Sequence, residues 1–151
     1  MAAIGFYHLT RTGVAEAIAP LLGRTLGSGA RAVVRGADPA SIAALDDALW
    51  RAASPDWLPH GTAVMGFGAD QPIWLTDGDD VPNGARFLFL VGGADETIVS
   101  GFDRFDRVFD LFDGNDQAAV MGARARWAAA KVAGHGLTYW QQTERGWVQK
   151  S

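Results

Sequence analysis

Strand-length runs with no polar position, separated by stretches of helical spacing, constrain this chain more than any other feature. Ala32-Val33-Val34 and Phe87-Leu88-Phe89-Leu90-Val91 are apolar throughout, as expected of strands buried on both faces of a parallel sheet. Ile4-Gly5-Phe6-Tyr7-His8-Leu9 is a mostly apolar opening strand. Val14, Ala17, Ile18, Leu21 and Leu22 give helical spacing from Gly13 to Leu26, where Pro20 is expected to bend or restart the helix. Asp38-Pro39 supplies an N-cap and a first-turn proline. The second helix then runs from Ala40 to about Ala53, burying Ile42, Leu45 and Leu49 with Trp50 alongside. Strand, helix, strand, helix implies right-handed βαβ units. The expectation is one α/β domain over residues 1–151, a three-layer sandwich around a mostly parallel, Rossmann-like sheet.

The rest of the chain continues the pattern. Trp57-Leu58-Pro59-His60-Gly61 reads as a loop, and Pro72-Ile73-Trp74-Leu75-Thr76 as a strand before the acidic turn Asp77-Gly78-Asp79-Asp80. Phe102, Phe105, Phe109 and Phe112 fit a helical stripe, yet Asp106–Phe112 also alternates as a strand. The closely bracketing Gly101 and Asp113-Gly114 favour the strand. Leu137–Thr143 is β-rich, and Glu144-Arg145-Gly146 turns it toward Trp147-Val148.

Asn115 to Trp140 holds the longest helix. Asn115 is the expected N-cap, Asp116 suits the positive end of the helix dipole, and Gly134 is the expected left-handed stop. At 100° per residue, Val120, Arg124, Trp127 and Lys131 share one stripe. Ala118, Met121, Ala125, Ala129 and Val132 share another, whose small residues would let the helix lie close to the sheet. No Asp or Glu occurs from Gln117 through Thr143, whereas Asp77–Asp116 holds ten acids and three arginines. A cationic, partly aromatic helix on an acidic chain suits an anionic partner. The alternative from pattern alone is a solvated face with Trp127 plugging the core.

Composition narrows the function classes. With 17 acids against 13 Lys and Arg, the net charge of −4 argues against broad nucleic-acid binding, which requires neutralising several phosphates. The absence of cysteine removes disulfides and thiol chemistry, and agrees with a cytoplasmic location. Met1–Thr10 lacks the features of a signal peptide, and no apolar run reaches the roughly 20 residues of a membrane span. No G-x-G-x-x-G follows a strand, so the nucleotide fingerprint is missing. His8, His60 and His135 are scattered without metal-ligand spacing. Asp77, Asp79 and Asp80 lack the ligand spacing of a calcium loop. Ser41, Ser54 and Ser100 lack a nucleophile-elbow context. No catalytic residue, metal site or cofactor is implied.

Short segments in a fixed order carry a resemblance. They are Phe6-Tyr7-His8-Leu9, Leu45-Asp46-Asp47-Ala48-Leu49-Trp50, Leu58-Pro59-His60 and Pro72-Ile73-Trp74-Leu75. The densest part covers Phe105-Asp106-Arg107, Asp113, Ala123-Arg124-Ala125-Arg126-Trp127, Lys131 and Gly134-His135-Gly136-Leu137-Thr138-Tyr139-Trp140-Gln141-Gln142. Together, across about 130 residues, they resemble the chi subunit of the bacterial DNA polymerase III holoenzyme. The resemblance implies a non-catalytic accessory subunit that pairs with psi, which connects to the clamp loader. It also implies binding of the acidic C-terminal tail of single-stranded DNA-binding protein, so that DNA is met only indirectly and no membrane is involved.

By the same resemblance, the tail site falls on Arg124, Trp127 and Lys131, bordered by Val120, Gly134 and Tyr139. The tail ends in a phenylalanine bearing a free α-carboxylate, suited to an arginine fork beside an apolar wall. The family often carries further basic residues there. Ala128 offers none, and Arg126 is a candidate to compensate from the neighbouring face. The psi surface is placed at Trp57 and Leu58 with Trp50 in support, although Trp50 also reads as core. Two other classes remain open: a small nucleotide-binding enzyme, and a direct single-stranded DNA binder stacking bases on Arg124, Arg126 and Trp127.

Overall fold

The computed structural model describes residues 1–51, 58–93 and 96–151, the side chain of Glu96 excepted. Its strands are β1 (Ala3–Leu9), β2 (Ala32–Arg35), β3 (His60–Gly61), β4 (Ile73–Thr76), β5 (Phe87–Leu90), β6 (Arg107–Asp113), β7 (Gly136–Thr143) and β8 (Gly146–Gln149). The helices are α1 (Val14–Gly27), α2 (Pro39–Arg51) and α3 (Gln117–Val132), with 3-10 segments at Gly68–Asp70 and Glu96–Arg104. The strands form one sheet in the order β3-β4-β2-β5-β6-β1-β7-β8. Every pairing is parallel except β7 with β8, joined by the expected turn.

Apolar residues on both faces of the strands give two cores, one on each side of the sheet. Ile18, Leu22, Leu45 and Leu49 of α1 and α2 pack over Val34, Leu75 and Phe89. On the other face, Ala123 and Ala130 of α3 join Phe6, Val108, Phe102 and Phe105. The result is the expected three-layer α/β sandwich. The strand order is not the 3-2-1-4-5-6 of dinucleotide-binding sheets, because β1 lies between β6 and β7 rather than beside β2. The apolar pattern specifies direction and burial, and leaves lateral order to the crossovers.

Three local expectations are corrected. Pro20 does not restart α1, which runs on as one 14-residue helix. Pro20 is exposed, so the carbonyl it leaves unpaired faces water while Ile18, Leu21 and Leu22 hold the buried side. Asp116, not Asn115, caps α3, its Oδ1 accepting from Ala118 N at 3.0 Å and Ala119 N at 3.4 Å. The stripe of Ala118, Met121, Ala125, Ala129 and Val132 is not the sheet-facing one. Met121 is 68 % and Val132 91 % exposed, while Ala123, Arg126 and Ala130 are buried. Gly134 does stop the helix, at φ +87°.

The phenylalanine ambiguity divides between two elements. Phe109 and Phe112 lie in β6, whereas Phe102 lies in the second 3-10 segment and Phe105 just beyond it. All four are buried. The acidic turn after β4 is tied to the sheet: Asp80 accepts from Trp74 Nε1 at 2.7 Å and from Thr76 Oγ1 at 2.5 Å.

Candidate functional site: a cleft between β1, β7 and α3

Alternation along β1 sends Phe6 and His8 to the α3 side and Tyr7 to the other. Phe6 pairs in register with Tyr139 of β7, and His8 with Phe112 of β6. Over these residues α3 presents Val120, Ala123, Arg124 and Trp127. Together they enclose a mostly apolar cleft of about 360 Å³, with Ser151 at its edge. Trp127 stands edge-on to Phe6, ring centroids 5.1 Å apart, and edge-on to Tyr139 at 6.2 Å. Such contacts fix an aromatic wall with little rotamer freedom. The Tyr139 hydroxyl and His8 Nδ1 form a hydrogen bond within the cleft.

The two arginines on α3 have opposite fates. Arg126 is 2 % exposed and makes a bidentate bond to Asp110 of β6. It therefore cannot compensate for Ala128 or join a base-stacking strip, and those expectations are corrected. Arg124, two residues earlier, is exposed at the rim of the cleft. Among the described residues no carboxylate lies within 4 Å of Arg124 or Lys131. Burial raises the Tyr139 phenol pKa, and the nearby Arg124 cation acts against that rise. Burial likewise pushes the Asp110 carboxyl upward, opposed by hydrogen bonding and charge from Arg126.

Of the residues assigned from the resemblance, Val120, Arg124, Trp127 and Tyr139 meet in the cleft. Lys131 is exposed one turn farther along α3, and Gly134 is exposed at its end; neither lines the cleft. Phe6, His8, Phe112, Ala123 and Ser151 were missed. The period-2 spacing of Phe6 and His8 was a usable signal for the cleft floor. Nothing local in the sequence marks Phe112 or Ser151.

The second assigned surface is less unified. Trp50 is 52 % exposed rather than core, its ring 4.3 Å from that of buried His60. His60 Nε2 lies 3.1 Å from Asp46 Oδ1, within ion-pair distance but without hydrogen-bond geometry. Leu58 is only 5 % exposed and packs in the α1–α2 core. Trp57 lies outside the described residues. Beyond the edge strand β3, Val64, Met65 and Phe67 are exposed, Phe67 with φ +57°. That strained, outward aromatic was not anticipated, because no periodicity marks a turn.

The helix N-termini differ in what they leave open: α1 has no side-chain cap at Gly13, whereas α3 does. A helix N-terminus receives a phosphate through unpaired N–H groups, but at α3 the Asp116 carboxylate already accepts from them. Among the described residues no group of three or more His, Asp or Glu is placed to hold a metal ion. No described helix is long and apolar enough to cross a membrane.

The structure is thus a three-layer α/β sandwich that carries an apolar cleft with an exposed arginine at its rim. The family described as DNA polymerase III chi subunit, HolC, matches residues 1–138, and this chain belongs to that family. It is also similar to the probable DNA polymerase III subunit chi of Rickettsia prowazekii (strain Madrid E), at 26 % identity over 109 residues. That match covers 72 % of this chain and 66 % of the relative.

Proposed function

We propose that this chain is a non-catalytic accessory subunit of the DNA polymerase III holoenzyme that holds the acidic C-terminal tail of single-stranded DNA-binding protein. The observation carrying this reading is Arg124, a cation without a carboxylate partner among the described residues, at the rim of an apolar aromatic cleft. The terminal phenylalanine enters against Phe6, Trp127 and Tyr139, while Arg124 takes the α-carboxylate through its fork. Lys131 lies along the path of the preceding acidic residues. One charge-assisted bond contributes about 1.5–3 kcal/mol. Two of these with an aromatic anchor, less the ordering of the tail, give about −8 kcal/mol, or roughly micromolar affinity.

The same reading makes the chain a bridge, joined through psi to the clamp loader in the bacterial cytoplasm. Trp50 and the exposed Val64, Met65 and Phe67 support an apolar partner surface toward the β3 edge. Leu58 then acts from beneath that surface, as a buried support. The test is fluorescence anisotropy with a labelled tail peptide, alongside psi co-purification. Wild type binds the peptide, and a peptide lacking its last phenylalanine does not. Phe67→Ser loses psi and retains the tail. Equal binding of the intact and truncated peptides would refute the cleft as the tail site.

A further inference from the structure

On the sheet face opposite the α3 cleft lies a second cleft, of about 160 Å³, between α1 and the starts of β5 and β6. Tyr7 reaches into it from β1, Arg24 from the last turn of α1, and Arg107 from the first position of β6. Tyr7 is 6 % exposed, yet among the described residues its hydroxyl has no hydrogen-bond partner. The ring is buried, but the hydroxyl oxygen itself opens to the solvent of the cleft and is free to meet a ligand there. Gly5 helps to set its direction. A Cβ there would lie 2.7 Å from Tyr7 Cε1 and 3.3 Å from the hydroxyl. The ring therefore lies back over Gly5, toward the N-terminal edge of the strands where Arg107 sits opposite Ala3.

Neither arginine has a carboxylate within 4 Å among the described residues. The acid nearest in sequence, Asp106, is bound to Arg86 at 2.7 Å. Arg107 is held in place by ring stacking, its guanidinium 4.8 Å from the Phe109 centroid and 5.7 Å from that of Phe87. Both cations act on the phenol: burial raises the Tyr7 pKa, and Arg107 and Arg24 oppose it. The other hydroxyls are committed, Thr25 Oγ1 to Leu21 O at 2.9 Å and Ser28 Oγ to Thr25 O at 2.6 Å.

We infer that this cleft binds a phosphate monoester, with Arg24 and Arg107 neutralising its two charges and the Tyr7 hydroxyl donating to a third oxygen. Geometry separates phosphate from carboxylate. A carboxylate has two coplanar oxygens that one guanidinium fork saturates. Here donors converge from three separate elements, which suits a tetrahedral dianion. The volume admits the phosphate and leaves the remainder of the ligand outside. The inference is independent of the tail reading, since none of these residues lines the α3 cleft.

The test follows the Arg24 and Arg107 Nε–H signals by NMR in the full chain, with inorganic phosphate and thymidine 5′-monophosphate as probes. Saturable shifts at both arginines, absent with acetate at equal ionic strength, are expected. Tyr7→Phe removes only the hydroxyl and weakens binding about threefold, and Arg24→Gln about tenfold. Tighter binding of the nucleotide identifies a nucleotide ligand, and equal binding identifies free phosphate. No saturable response at about 10 mM phosphate, a range that would reveal even millimolar binding, would overturn the inference. So would unchanged affinity in folded Arg24→Gln.

Discussion

Arg126 of α3 grips Asp110 of β6 through two hydrogen bonds, Nε to Oδ2 at 2.6 Å and Nη2 to Oδ1 at 3.0 Å, with both residues buried. The pair fixes the rotation of α3 on the sheet, and that rotation decides which arginine reaches the cleft. With Arg126 directed inward, Arg124 is carried two residues, about 200°, around the helix to the rim. The buried pair thereby positions the exposed cation.

Removing one member of this pair strands the other charge in the core. Arg126→Ala is expected to cost about 3–5 kcal/mol in urea unfolding. Arg124→Ala, at the surface, is expected to change stability by no more than about 0.5 kcal/mol. A double variant, Asp110→Leu with Arg126→Met, should lose less than the sum of the single losses because no charge is left unpaired. Additive losses would show that the pair does not act as a unit.

The fold was legible where a local rule acts alone, and the cleft was legible only at Val120, Arg124, Trp127 and Tyr139, which the resemblance named and the structure brings together. Gly134 stops α3 because a left-handed residue is needed there, and Phe87–Leu90 forms a strand because both its faces are apolar. Periodicity placed Val120, Arg124 and Trp127 on one stripe but could not say which stripe meets the sheet. Small residues at Ala118, Ala125 and Ala129 pointed to the wrong one. The deciding partner of Arg126 is Asp110, sixteen residues away on a strand, and no spacing rule pairs them. Asn115 and Asp116 are both good capping residues, so only backbone geometry separates them. The Phe6–His8 floor went unread because alternation in β1 was used for strand assignment and not for its two faces.

The exposed cation at the rim predicts a salt-dependent affinity. Screening lengths fall from about 10 Å at 0.1 M salt to about 3 Å at 1 M. Tail-peptide binding measured by anisotropy should weaken across that range in the wild type. Arg124→Ala should bind at least about tenfold more weakly at low salt, with a flatter salt dependence. If wild type and variant share one slope, Arg124 is not the residue that meets the carboxylate.

Gly114 controls the cleft from beneath. A Cβ at this position would lie 2.0 Å from His8 Cδ2 and Nε2 and 2.6 Å from Leu9 O. His8 is held against Tyr139 on its other side, so the ring cannot withdraw without losing that bond. Gly114→Ala is therefore expected to cost about 1–3 kcal/mol. It should also weaken tail binding by displacing His8 and Tyr139, even in the fraction that remains folded. Calorimetric unfolding and peptide titration on the same sample separate the two effects. Wild-type values in both would mean that His8 has room to move.

Acid should loosen the turn after β4 at Asp80. Burial alone would raise its pKa, but hydrogen bonds from Thr76 and Trp74, helped by the Arg35 charge, outweigh burial and hold the carboxyl below the ordinary Asp range. A depressed folded pKa means that the stabilisation is fully present above the unfolded value. It is lost as pH falls through the folded one. Asp80→Asn should therefore be less stable than wild type at neutral pH and lose less on acidification between about pH 5 and pH 3. Urea midpoints across that range provide the comparison, with Trp74 fluorescence as a local report on the broken Nε1 bond. Parallel pH curves for the two proteins would show that Asp80 titrates alike in the folded and unfolded chain.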